Sequence, residues 1–123
     1  MRILYGNPFL IKYLKEKNLN VKLYIGLAGF SDIYKKEGRE DLYEAVKNMN
    51  PSQEEIDYFV QNVKKRYCIY SDNDHIVPFF ILQKHVKNID AIGYRIPNIG
   101  HMGRKSNLKE IPEVLEIIKE NRI

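Results

Sequence analysis

The chain of 123 residues has no tryptophan, one cysteine and no long hydrophobic run. A single cysteine gives no disulfide framework, so the sequence fits a reducing, cytoplasmic setting. Cys68 lies inside Tyr67-Cys68-Ile69-Tyr70 and reads as a small buried residue rather than a nucleophile. No stretch approaches the roughly 18 apolar residues of a membrane span, and the first residues lack a signal-peptide pattern. No membrane partner is expected. Repeats, low-complexity tracts and internal linkers are also missing. So is a basic face free of acids: 20 Lys and Arg are scattered among 16 Asp and Glu, for a formal charge of +4. Patterns such as Lys109-Glu110-Glu113-Glu116-Lys119 read as solvated helix surface, which argues against a nucleic-acid partner. What is present, 44% hydrophobic and 29% charged residues, is ordinary globular composition. The length allows one domain at most.

Elements alternate along the chain. Asn7-Pro8 reads as a cap and first-turn proline opening a helix to about Lys17, with Leu10, Tyr13 and Leu14 on its apolar face. The run from Val21 to Ala28 is too continuously apolar for a strand with one wet face and suggests a strand covered on both sides, as in parallel sheets. A short amphipathic helix follows near Glu40 to Asn48 with Leu42, Tyr43 and Val46 inward. Ser52-Gln53-Glu54-Glu55 is a capping box. It opens a helix whose Ile56, Phe59, Val60 and Val63 fall at i, i+3, i+4 and i+7. Tyr67 to Tyr70 is the second strand. Pro78 starts a helix with Ile81, Leu82, His85, Val86 and Ile89 on one stripe, and a histidine on such a stripe is a core residue by default. Ala91 to Ile96 is the third strand. Pro112 opens the last helix, burying Val114, Leu115 and Ile118. The order predicts an α/β protein, a three-layer αβα arrangement with a small parallel sheet of about three strands.

Two segments carry the chemistry. Ser71-Asp72-Asn73-Asp74-His75-Ile76-Val77-Pro78 follows the second strand, and Asn98-Ile99-Gly100-His101 follows the third. In open parallel sheets functional residues gather outside the carboxyl ends of the strands. An Asp74 carboxylate there can accept the Nδ1–H of His101, fixing its tautomer and stabilising the imidazolium. Gly100 lets the loop turn tightly beside the acid. A plainer reading has Asp72 and Asp74 capping the following helix. A third takes Asp72, Asp74, His75 and His101 as ligands for a divalent metal, with no pattern of neighbouring residues that would orient such ligands. No cofactor is called for. His75 reads as a surface loop residue.

At these residues the chain resembles the C-terminal half of the α/β-hydrolase superfamily's small serine hydrolases, of the retinoblastoma-binding-protein-like and YdeN-like type. The matching run is Ser71-Asp72-Asn73-Asp74-x-x-Val77-Pro78, then Ile96-Pro97-Asn98-x-Gly100-His101 and a Pro-initiated helix. Tyr5 to Leu14 is similar to the helix after the nucleophile elbow, and Leu27-Ala28-Gly29-Phe30 to the strand end beyond it. The resemblance implies Asp74 as triad acid and His101 as base, in the chain order Ser…Asp…His. It implies hydrolysis of esters, amides or thioesters through an acyl-serine. The departure is at the front. With Gly6 as the last glycine of Gly-x-Ser-x-Gly, Leu4 stands at the nucleophile and Arg2 at the first glycine. Ser52 is a helix cap, Ser71 belongs to the acid loop, and Ser31 and Ser106 are the remaining serines.

Residues 1–123 are therefore expected to form a single truncated α/β-hydrolase-like domain that keeps acid and base and lacks the nucleophile, inactive alone. The alternatives are a non-catalytic binding or assembly module, or half of a split hydrolase completed by a separate N-terminal chain. The Val21–Ala28 strand would then be a long apolar edge whose one charge is Lys22, and such edges recruit other strands. A homo-oligomer is expected, a dimer through that edge strand or the first helix.

Overall fold

In a computed structural model, which describes residues 6–31, 33, 38, 40–100 and 111–121, three parallel strands form one sheet in the order β1-β2-β3. They are β1 (Val21–Leu27), β2 (Val63–Ser71) and β3 (Ile92–Ile96). The helices are α1 (Gly6–Lys17), α2 (Glu40–Val46, extended by a 3₁₀ turn over Lys47–Met49), α3 (Gln53–Asn62), α4 (Phe79–Asn88) and α5 (Pro112–Asn121). Tyr24 pairs with Arg66, and Ile69 with Tyr94.

Alternation along the strands sorts side chains to two faces. Tyr24 and Cys68 pack with Ile11 and Leu14 of α1, Ile56 and Phe59 of α3, and Ile89 at the end of α4. Tyr67 and Ile69 turn the other way and pack with Ile117 of α5, flanked by Leu23, Ile25, Tyr94 and Ile96. A third cluster (Ala28, Phe30, Ile33, Val77, Ile81 and Leu82) joins the segment after β1 to α4. The chain has a mixed α/β fold, a small parallel three-stranded sheet flanked by helices. Among the described residues no helix is long and apolar enough to cross a membrane.

Four sequence expectations need correcting. Ile11, not Tyr13, anchors α1, and Tyr13 is exposed. β1 is covered on the α1/α3 side, but Leu27 stays 45% exposed. On α5 the buried residue is Ile117, while Leu115 and Ile118 are 55% and 43% exposed. Finally, Val63 is the C-cap of α3 and the first residue of β2 at once. The strand extends back over Lys64, Lys65 and Arg66, where three basic residues hide any apolar alternation. Arg66 is why the junction closes without a loop. Its guanidinium donates to the carbonyls of Val60 (2.9 Å) and Val63 at the end of α3, and to that of Ile89 (2.6 Å) at the end of α4. Carbonyls that lose their partners at a helix end are satisfied there by one side chain.

The remaining caps follow from local sequence. Ser52 Oγ accepts from the Glu55 amide at 3.1 Å, and the Glu55 carboxylate accepts from the Ser52 amide at 2.8 Å. Asn18 and Asp90 end α1 and α4 at φ of 53° and 48°. The following amides turn back, Leu19 to Leu14 at 3.0 Å and Ala91 to Val86 at 2.9 Å.

Candidate functional site

The loops after β2 and β3 leave the same carboxyl edge and are fastened to each other. The Asp72 amide donates to the Ile96 carbonyl at 3.3 Å. Asp72 Oδ1 accepts the Asn98 amide at 3.0 Å. Ser71, fully buried, accepts the Ile99 amide on Oγ at 3.2 Å and donates to Asn73 Oδ1 at 2.6 Å. Asn73 Oδ1 also accepts the Gly100 amide at 2.8 Å. Three successive amides, 98 to 100, are thus bound by three successive side chains, 71 to 73. Asn98 and Gly100 reach these positions at φ of 58° and 66°, the left-handed region that asparagine and glycine tolerate best.

Asp74 comes next. Its Oδ1 accepts the amides of Ile76 (2.8 Å) and Val77 (2.9 Å), which fixes the carboxylate plane. Neither aspartate caps α4: the N-cap position is Pro78, with no side-chain cap bond. The capping reading is replaced by a loop brace at Asp72 and a turn at Asp74. Arg95 stacks over the Phe79 ring at 4.7 Å and lies 3.8 Å from Asp72, bracing the loop's outer side. His75 is exposed, with Nδ1 3.9 Å from where a Cβ on Gly100 would stand. His101, Leu4, Arg2 and Ser106 lie outside the described residues. Among the described residues no three His, Cys, Asp or Glu side chains group as a metal centre.

The carboxyl end of β1 holds a polar cluster that sequence reading missed. Tyr24 Oη donates to Asn7 Oδ1 at 2.6 Å and lies 3.0 Å from His85 Nε2. With the single phenol proton directed to Asn7, Nε2 of His85 carries the hydrogen of the second bond. His85 is the buried core histidine expected from its helix stripe. Burial, with a smaller contribution from Cys68, pushes the Tyr24 phenol well above its ordinary value, so it remains O–H. A Cβ on Gly29 would run into the Asn7 carboxamide, so glycine lets α1 sit against the strand end. Asn7 and Tyr24 gave no motif because their pairing spans 17 residues. Ser31 and Ser52 both serve structure, Ser31 near Asn88 Nδ2 at 3.3 Å and Ser52 as the α3 cap.

No family model matches the chain, and no curated protein matches its sequence. Among solved structures, the crystal structure of the ydeN gene product from B. subtilis superposes with a TM-score of 0.73 at 19% identity. The match covers 95% of this chain and 61% of that one. The two share a fold, and this chain spans about three-fifths of the length of the protein it matches.

Proposed function

We propose that this chain carries the acid and base of a serine-hydrolase-type relay. Asp74 accepts the Nδ1–H of His101, leaving Nε2 to take a proton from a serine hydroxyl and return it to the leaving group. The observation that carries this reading is the 2.8 Å bond from the Gly100 amide to Asn73 Oδ1. It ties the residue before His101 to the residue before Asp74. The two amides on Asp74 Oδ1 support it further, because they hold the carboxylate in one plane and Oδ2 is the atom assigned to the imidazole.

By its resemblance the chain has Leu4 where the attacking serine belongs. A leucine cannot attack a carbonyl, and backbone donors of an oxyanion hole supply several kcal/mol that an acid and base alone do not. The function is therefore that of a partial hydrolase, silent alone and completed by strands and a Gly-x-Ser-x-Gly on another segment. Proton NMR on ¹⁵N-histidine-labelled chain tests the relay. A downfield, slowly exchanging ring N–H assigned to His101 is expected, and Asp74→Ala should abolish it while the same substitution at Asp72 does not. A His101 ring that exchanges freely in the unmodified chain would sink the proposal.

A further inference from the structure

At the opposite, amino edge of the sheet lies a cleft of about 360 Å³ lined by Asn20, Val21, Lys22, Gln61, Asn62 and Lys64. We infer that it is a binding site for a small phosphate-bearing anion. Val21 pairs with Val63 and Leu23 with Lys65, so Lys22 and Lys64 stand directly across from each other on neighbouring strands. Like charges in that position repel and destabilise a sheet. Some lysines elsewhere on the molecule sit against acids: Lys12 meets Glu55 at 3.0 Å, Lys15 Glu54 at 3.5 Å and Lys47 Glu44 at 2.7 Å. The lining of the cleft contains no acid, and neither of its lysines has an ion-pair partner among the described residues.

The lysines are not needed to neutralise the helix ends nearby. In the last turn of α3 the carbonyls of Tyr58, Phe59 and Val60 are already taken by the Asn62 carboxamide, the Val63 amide and Arg66. Two positive charges therefore stand beside a hollow whose lining offers side-chain amides and no acid. Lysine ammonium groups act as point charges toward phosphate oxygens, and two of them match a dianion where a single carboxylate would answer only one. The Asn20 and Gln61 carboxamides add donors for the remaining oxygens. The volume suits a phosphomonoester of small-metabolite size. This site is independent of the acid loop, which lies at the other end of the strands.

Titration of the ¹⁵N-labelled full chain with inorganic phosphate tests it, with ionic strength held by sodium chloride and acetate run as a second arm. Saturable amide shifts confined to residues 20–22 and 61–64 are expected. Lys22→Gln combined with Lys64→Gln should weaken phosphate about tenfold or more, since each charge-assisted contact is among the stronger polar ones. Lys64→Glu, which pairs with Lys22 and preserves the sheet, should abolish binding. Chloride or acetate moving the same signals as far as phosphate would reduce the cleft to a charged patch and overturn the assignment. Unchanged phosphate affinity in both variants would do the same.

Discussion

Tyr24 and Cys68 are neighbours on the buried face of the sheet, and both resist ionisation there. Burial pushes the Cys68 thiol from 9.0 up to about 12, and the Tyr24 phenol rises well above 10.0 for the same first reason. Each group holds its proton more tightly folded than unfolded. The stability this contributes is complete below the unfolded values and is lost as pH rises through the folded ones. Urea midpoints should therefore fall from pH 9.0 upward, in the window set by the thiol's rise to about 12. Cys68→Ala should flatten the first part of that decline, and Tyr24→Phe the part above 10.0. An alkaline profile for Cys68→Ala superimposable on that of the parent chain would show that the thiol is not held protonated by its surroundings. Tyr24→Phe also strips the Asn7–Tyr24–His85 cluster of its centre, at a cost of about 1–3 kcal/mol for buried polar groups left without that bond.

Helix α5 gives the clearest contrast at the level of elements. The sheet receives Ile117 and, half-buried, Val114, while Leu115 faces outward. Ile117→Ala should cost about 2–5 kcal/mol by opening a cavity against Tyr67 and Ile69. Leu115→Ala should stay within about 0.5 kcal/mol, as surface substitutions do. Equal losses in urea unfolding would reverse the assigned face. The phase of this helix was not legible in the sequence, because Val114, Leu115, Ile117 and Ile118 offer two overlapping apolar stripes and the partner sheet chooses between them. The start of α3 was legible, because a capping box is a four-residue matter. The length of β2 was not: Lys64 to Arg66 become strand only through pairing with β1 and through carbonyls that Arg66 reaches up to 24 residues away. The site divides in the same way. Its position after two strand ends follows from element order, whereas the role of Asn73 depends on an amide 27 residues distant.

For the molecule as a whole, β2 is the central strand and β1 and β3 each have an open side among the described residues; the longer of these two edges is β1. Its backbone groups on that side have no ladder partner among the described residues, Leu27 is exposed and Lys22 is its one charge. Edges of this kind pair with other strands. A homodimer continued across β1 is the expected state, and light scattering after gel filtration should give at least twice the 14.6 kDa chain mass. A monomer at tens of micromolar would mean that the edge is covered within the chain. The shared residue at the α3–β2 junction has a different kind of consequence. Because Val63 ends the helix and begins the strand, no spare residue there can absorb a change in chain length. One inserted codon between Asn62 and Tyr67 would turn Tyr67 and Ile69 toward α3 and Cys68 toward α5, exchanging the two faces of the central strand. Descent can vary the residues of this junction, but a shift in its reading length would scramble both layers at once.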